Sequence, residues 1–135
     1  MHSHLDRDFL GYGPNTPDPQ WPGEARIAVS FVLNYEEGGE NNILHGDAAS
    51  EVFLTETPGG TPIQGGRDLS TESMFEYGSR AGFWRILRLF AERNMHFTSW
   101  AVGRALELNP IAGKAMAQAG HEVASHGWRW INYKD

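Results

Sequence analysis

Three stretches of the chain carry the hydrophobic pattern of β-strands. Ile27 to Leu33 is almost continuously apolar and rich in β-branched and aromatic side chains, which is typical of a parallel strand covered on both faces. A second stretch runs from His96 to Val102. A shorter third one, Glu122 to Ser125, ends just before His126. The pattern therefore predicts three strands.

Two helices are predicted between these strands. The first has Ser79 as its candidate N-cap and apolar positions spaced i, i+3, i+4 and i+7, namely Phe83, Ile86, Leu87 and Phe90. The second begins at Asn109-Pro110, a cap followed by proline at the first helical position, and runs to Ala119, where Gly120 ends it. The order strand, helix, strand, helix, strand predicts right-handed βαβ units, a parallel sheet and an α/β fold.

Two other regions lack a regular period. Residues 1–25 hold four prolines among glycines, which predicts an irregular N-terminal arm before a folded region over residues 26–135. Between Tyr35 and Leu69, seven glycines together with Pro58 and Pro62 interrupt every pattern. A connection of this length inside a domain is usually either functional or disordered.

Composition narrows the classes of function. The chain has 135 residues, which suits one domain or part of one, and its 11 Lys+Arg against 17 Asp+Glu give a formal charge of −6 without a basic run. We therefore expect no nucleic-acid partner. Cysteine is absent, which removes disulfides, thiolate ligands and a cysteine nucleophile, and no apolar run approaches the roughly 18 residues of a membrane span. These features predict a soluble, cytoplasmic protein with no membrane partner.

Candidate chemistry lies at the strand ends, because ligands of parallel α/β folds bind outside the carboxyl ends of the strands. Glu36 and Glu37 follow the first strand and precede Gly38-Gly39. Adjacent side chains there point to different sides, so one carboxylate can enter a pocket while the other contacts supporting groups. Charge repulsion and partial burial would raise one pKa toward the range of a general base. The alternative is a solvated pair in a loop.

Six histidines are present, and His126 is the candidate for chemistry because it ends the third strand beside Gly127. It is expected on the same rim of the sheet as the two glutamates, although a lone histidine is more often structural. His96 and His121 begin strands and are expected at the opposite rim. His45, in the long connection, could join the site, whereas the remaining two, His2 and His4, lie in the polar N-terminal tail.

Two of these segments look like the first two motifs of the polysaccharide deacetylase (nodulation-deacetylase-like) superfamily: Phe31-Val32-Leu33-Asn34-Tyr35-Glu36-Glu37-Gly38 and Ser125-His126-Gly127-Trp128-Arg129-Trp130. With Glu40-Asn41, Leu44-His45-Gly46-Asp47 and Tyr77-Gly78-Ser79-Arg80-Ala81-Gly82-Phe83-Trp84-Arg85, the chain resembles the cofactor-independent allantoinase branch. The resemblance covers about residues 6–135. It implies part of a deformed (β/α) barrel and hydrolytic ring opening of allantoin to allantoate in urate breakdown.

The sequence departs from the metal-dependent members of that superfamily. Those members resemble Thr-Phe-Asp-Asp-Gly in the first motif and His-x-x-x-His in the second, which together supply one carboxylate and two imidazoles to a divalent metal. Here the acids are Glu36 and Glu37, and Trp130 stands four residues after His126. An indole has no lone pair for a metal, so the resemblance implies a site with no metal or cofactor. Trp130 would offer a flat wall and an N–H donor to a small ring.

The match to the motifs suggests a hypothesis for the roles of the site residues. Glu36 matches the first acid and would be the general base, with Glu37 supporting it and His126 as proton donor or electrostatic partner. The substrate would be a small cyclic ureide, contacted by Trp130. Three weaker candidates for substrate or subunit contacts are His45, Glu76 and Arg80, and a surface arginine is the alternative for Arg80.

Other functions stay open. A metal-dependent carbohydrate N-deacetylase is one alternative, which Trp130 disfavours, and an inactive fragment or assembly module is another. Such barrels typically need roughly 250 residues, and the predicted elements supply about half of one. We therefore expect the chain alone to have little or no activity, and to form a homo-oligomer or belong to a longer polypeptide.

Overall fold

A parallel sheet lies at the centre of the computed structural model, which describes Arg7 and residues 9–134. The sheet has three strands in the order β1–β2–β3, namely β1 (Val32–Tyr35), β2 (Thr98–Ala101) and β3 (Glu122–Ser125). The strands pair residue for residue without an offset, so all three end level at one edge of the sheet. The predicted parallel α/β fold is confirmed.

Four helices connect these strands in the described part of the chain. α1 (Leu69–Tyr77) and α2 (Phe83–Glu92) follow β1 and are joined by a π-helical turn, Gly78–Gly82. α3 (Gly103–Leu108) and α4 (Pro110–Gln118) follow β2. The chain thus has the βαβαβ order that the pattern predicts.

The hydrophobic core lies between the sheet and α2, α3 and α4. Tyr35, Val102 and Met116 are almost completely buried, and Phe83 joins them from the start of α2. The other apolar positions predicted for that helix face are partly buried against the same core: Ile86, Leu87 and Phe90. The ring of Tyr35 meets Phe83 edge-on, with centroids 5.1 Å apart, a favoured aromatic arrangement. The core therefore fixes the end of β1, where the candidate site begins.

Ser79 is not the N-cap of the first helix, contrary to the prediction. It lies inside the π-helical turn, and the helical stretch begins ten residues earlier, at α1. The cap is Asp68, whose carboxylate accepts hydrogen bonds from the backbone N–H groups of Ser70 and Thr71. The apolar residues of α1 do not repeat at helical spacing, and glycines lie at both ends of the turn. The helical hydrophobic pattern in the sequence is therefore recognisable only from Phe83 onward.

The first strand is also displaced from its predicted bounds. It starts at Val32 rather than Ile27, because β2 offers backbone partners only from Thr98 onward. Ile27 and Val29 are exposed rather than covered, at 72% and 65% of their surface, and Val32 is half-exposed. The expectation of a strand covered on both faces is therefore wrong for this part of the chain.

The remaining predicted elements agree better with the structure. β3 has its predicted bounds, and α4 begins at Pro110 and is followed by Gly120 with a φ of 76°, the left-handed stop. Asn109 precedes α4, but its amide donates to the Tyr35 hydroxyl at 2.9 Å instead of capping the helix. α3 was not predicted from the pattern.

The irregular regions contain few regular elements. In residues 9–25 the only one is a 3-10 turn, Pro22–Glu24, and His2 and His4 lie outside the described residues. The connection from β1 to α1 contains a 3-10 turn, Ile43–His45, and an isolated bridge between Ala49 and Gln64. Among the helices of the described part, none has the length and apolar character that crossing a bilayer requires.

Candidate active site

The level ends of β1 and β3 bring the predicted site residues to one edge of the sheet. Glu36 and Glu37 directly follow β1, and His126 directly follows β3. The backbone N–H of His126 donates to the carbonyl of Ala101, which extends the sheet pairing by one residue. Gly127 then adopts a φ of 77°, a conformation that glycine reaches without a steric penalty, and the chain turns back over the edge.

Glu36 is held between Trp130 and His126. The indole N–H of Trp130 donates to Oε2 of Glu36 at 2.5 Å, and Nε2 of His126 lies 3.5 Å from Oε1. The Glu36 side chain is 12% exposed and that of His126 is 37% exposed. Each oxygen of the carboxylate therefore faces a different partner. The indole N–H of Trp130, predicted to donate to a substrate ring, donates to Glu36 instead.

Aromatic rings and the backbone fix the orientation of Trp130. Its ring is met edge-on by Phe53 and by Phe75, both with centroids 5.7 Å away. Its backbone N–H donates to the carbonyl of Gly39 at 2.9 Å. The indole is thus clamped between the long connection and α1, and its N–H direction is set before any ligand binds.

Glu37 turns away from Glu36 toward the π-helical turn. Its Oε2 accepts the backbone N–H of Glu36 at 3.3 Å, and its carboxyl group lies against Gly78. Burial raises the pKa of Glu37, and the nearby carboxylates of Glu40 and Glu36 act in the same direction. The two adjacent glutamates therefore occupy different environments, as the strand geometry predicts.

An ion pair attaches the long connection to the segment that carries Trp130. The guanidinium of Arg129 contacts both carboxylate oxygens of Asp47, at 2.5 and 3.2 Å, and donates to the carbonyl of Glu40 at 3.0 Å. Both side chains are largely buried, and the hydrogen bond from Arg129 lowers the pKa of Asp47. Asp47 also accepts the backbone N–H of Asn42, so one carboxylate orders both segments.

A pocket of about 290 Å³ opens beside these groups. Its lining comes from the end of β1, the connection, α1 and the β3 loop: Asn34, Glu36, Glu37, Leu54, Glu56, Met74, Phe75 and Trp130. Sequence reasoning did not identify Leu54, Glu56 or Phe75. The first two lie in an irregular stretch where no period orients a side chain, whereas Phe75 would have followed from a correctly placed α1.

Three predicted contact residues lie apart from the Glu36 carboxylate. His45, Glu76 and Arg80 line a neighbouring cleft of about 470 Å³, which shares only Glu37 and Phe75 with the first pocket. Glu76 and Arg80 form a mostly exposed ion pair at 3.0 Å. Nδ1 of His45 is buried without a hydrogen-bond partner in the described part of the chain. Their roles stay predictions, and the geometry separates them from the Glu36 group.

The residues present do not fit the divalent metal of the metal-dependent deacetylases. In the position of the second motif histidine, Trp130 presents an N–H to Glu36 and no lone pair. Within Arg7 and residues 9–134, Glu36 and His126 are therefore left without a third ligand. Across Arg7 and residues 9–134, no group of three or more His, Cys, Asp or Glu side chains could hold a metal ion.

The chain is similar to known proteins over most of its length. Residues 67–135 match the family model for polysaccharide deacetylase. A Schizosaccharomyces pombe protein provisionally named a polysaccharide deacetylase is 52% identical over 131 residues, which are 95% of this chain and 41% of that protein.

Two crystal structures are also similar to the chain. That of the Puue allantoinase has 58% identity and a TM-score of 0.85, covering 96% of this chain and 43% of the other. That of a probable polysaccharide deacetylase from Pseudomonas aeruginosa PAO1 has 57% identity and a TM-score of 0.86, with 96% and 44% covered. The chain thus spans about two fifths of the length of the relatives it matches.

Proposed function

Because this chain belongs to the polysaccharide deacetylase family of hydrolases, we propose that the protein hydrolyses a cyclic amide C–N bond, with allantoin as substrate and allantoate as product. The proposal concerns the complete catalytic unit, since the relatives are more than twice as long as this chain. Two substrate classes are considered for the family, a cyclic ureide and an N-acetylated sugar, and the cyclic ureide is the one proposed.

The contact between Trp130 and Glu36 is the observation that carries this proposal. An indole N–H fixed on one carboxylate oxygen occupies the place where the resemblance expects an imidazole ligand of a metal. The same residue forms a flat wall of a small pocket, which suits a planar five-membered ring. The 58% identity to an allantoinase supports the choice of substrate.

The side chains support a reaction by general acid–base catalysis. Glu36 removes a proton from water while the water oxygen bonds to the ring carbonyl carbon. The ring C–N bond then breaks, and its nitrogen takes a proton, with His126 as the donor or as an electrostatic partner. The products are a carboxylate and a free ureide nitrogen. Glu37 supports Glu36 from the other side of the strand end.

The pocket's charge also favours a neutral, N–H-rich substrate. Three carboxylates, Glu36, Glu37 and Glu56, are among its lining residues, and none of the lining side chains is cationic. Carboxylates accept N–H donors of an amide or ureide and repel anions. Ring opening creates a further carboxylate, and its repulsion by this lining promotes product release.

A metal-dependent carbohydrate N-deacetylase is the second candidate, because two relatives carry the polysaccharide deacetylase name. The test is turnover by the protein expressed from its complete gene, with allantoin and an acetylated chitooligosaccharide assayed in parallel. Allantoate formation from allantoin, without acetate release from the sugar, is the expected result. Acetate release without allantoate would reverse the assignment.

A further inference from the structure

Gly78 lies at the start of the π-helical turn, in a conformation that does not require glycine. Its φ and ψ are −54° and −55°, which every residue adopts in a right-handed helix. Glycine there costs helix stability relative to alanine. The reason for a glycine at this position must therefore be space rather than backbone freedom.

The space beside Gly78 is filled by the side chain of Glu37. A Cβ on Gly78 would lie 3.0 Å from Cγ of Glu37, 2.6 Å from Cδ and closer still to Oε1. Real Cβ atoms essentially never come within 3.0 Å of a heavy atom outside their own residue and its chain neighbours, so the Glu37 carboxyl group would have to move. Gly82, at the other end of the same turn, differs, because the three atoms nearest to its Cβ would all belong to Tyr77, at 3.6 Å or more.

The carboxyl group of Glu37, which a side chain on Gly78 would displace, belongs to the lining of the Glu36 pocket. Glu37 lines both the Glu36 pocket and the neighbouring cleft, and it accepts the backbone N–H of Glu36. The clash involves the outer atoms of a flexible side chain, which can rotate without moving the backbone. A methyl group on Gly78 therefore changes the position of one carboxyl group while leaving the helix intact. π-Helical turns of this kind are frequent at functional sites.

We propose that Gly78 is a positioning residue for Glu37. Because Gly78 has no side chain, the Glu37 carboxyl group has room to lie in this space next to Glu36. The inference rests on the proposed function for its kinetic consequence. Gly78 itself touches no reacting group and acts only through Glu37.

The kinetic test compares Gly78→Ala with the matched control Gly82→Ala in the protein expressed from its complete gene. We expect Gly78→Ala to lower kcat on allantoin about 10-fold to 100-fold, the scale of a catalytic group misplaced by about 1 Å. Its melting temperature should be unchanged or higher, because alanine is the better helix former. Gly82→Ala should keep kcat within about twofold. Equal losses of kcat in the two variants would overturn the proposal.

A double-mutant cycle separates positioning from general distortion of the helix. In the Glu37→Ala background no carboxyl group remains to be displaced, so adding Gly78→Ala should change the residual kcat by less than about twofold. The shorter side chain of Glu37→Asp should partly rescue Gly78→Ala. A Gly78→Ala loss of kcat or of folding that persists in the Glu37→Ala background would show that the space serves the fold and not Glu37.

A substrate-free measurement distinguishes failure of this inference from failure of the proposed function. The ¹³C resonance of the Glu37 carboxyl carbon reports its environment, which also includes the carboxylates of Glu36 and Glu40. In Gly78→Ala we expect its chemical shift to change and its titration midpoint to fall toward the ordinary glutamate value, since the group leaves its buried position. An unchanged titration would overturn the positioning role, whatever substrate the enzyme uses.

Discussion

The two ends of β3 each carry a histidine, and the two histidines have opposite environments. His121 precedes the strand and is 7% exposed, stacked on Phe97 with ring centroids 3.7 Å apart. Its Nδ1 accepts the backbone N–H of Phe97, and burial lowers its pKa. His126 follows the strand, is 37% exposed in its side chain, and faces the Glu36 carboxylate.

This difference follows from the direction of the sheet. At the amino-terminal edge, His121 packs against the core and its ring nitrogen satisfies a backbone donor. At the carboxyl-terminal edge the connections leave the sheet, and their polar side chains converge around an open pocket. The same residue type, at two positions that flank one strand, is structural at one end and a candidate for chemistry at the other.

Removing the chemistry at the carboxyl-terminal edge should give the largest effect on turnover. Glu36→Gln and His126→Ala should each lower kcat by about 10² or more, because general acid–base groups commonly contribute 10²- to 10⁴-fold. The double variant should lose less than the product of the two, since the groups act on the same water and leaving nitrogen. Steady-state kinetics on allantoin measures both effects.

Circular dichroism of the two variants provides the control for folding. Glu36 lines the pocket and the His126 side chain is 37% exposed, so neither substitution removes a core contact and the far-UV spectra of the variants should match that of the parent protein. Folded variants with near-parental turnover would exclude Glu36 and His126 as the acid–base pair.

Loosening the ion pair behind Trp130 should give an intermediate effect. Asp47→Asn leaves the largely buried guanidinium of Arg129 without its carboxylate, and Trp130 follows directly in the chain. We expect kcat to fall about tenfold as the indole loses its fixed position, and the free energy of unfolding to fall by about 2 kcal/mol. Kinetics and urea unfolding test the two expectations separately. Lost stability with full activity would show that Arg129 does not orient Trp130.

The candidate residues at the strand ends could be predicted from the sequence because their location depends only on where the strands end. Glu36 and His126 each come directly after a strand, so a parallel topology was enough to bring them together. The motif led to Trp130 as an N–H donor to a substrate ring, whereas in the structure its N–H donates to Glu36. His45, Glu76 and Arg80 could not be placed in this way, because a long connection and a helix surface do not fix where side chains meet.

Two features lay beyond sequence reasoning for a physical reason. The first strand starts at Val32 because strand pairing depends on where β2 begins, a non-local contact that an apolar run does not encode. The contact between the Glu37 carboxyl group and Gly78 joins residues that are 41 positions apart in the chain. Only their packing shows that the glycine leaves room for this carboxyl group.

Changing the amino-terminal edge should affect stability with little effect on turnover. His121→Ala leaves the Phe97 N–H unpaired and opens a cavity, so the free energy of unfolding should fall by about 2 kcal/mol. kcat should stay within about twofold of the parent value, because the substituted side chain lies at the opposite end of β3. Urea unfolding and kinetics at pH 7.5 measure both quantities. A large loss of kcat in a variant that folds would contradict the assignment of His121 to a purely structural role.

The pH dependence of stability should carry the same contrast. His121 is held neutral in the folded state with its pKa below the unfolded value of about 6.5, so unfolding takes up a proton in between. Its contribution to the free energy of unfolding is full above about pH 6.5 and declines as the pH falls toward the folded pKa. His121→Gln should flatten this decline, as urea unfolding at several pH values would show. An equally steep decline in the variant would assign it to other groups.

Turnover of allantoin after exhaustive chelation tests the central claim, that the Glu36, His126 and Trp130 group opens the ring without a metal. The measurement is allantoate formation by the protein expressed from its complete gene, before and after chelation, with metal content determined on the same sample. We predict equal rates within about twofold and less than stoichiometric metal. Loss of activity on chelation that stoichiometric zinc restores would contradict the claim.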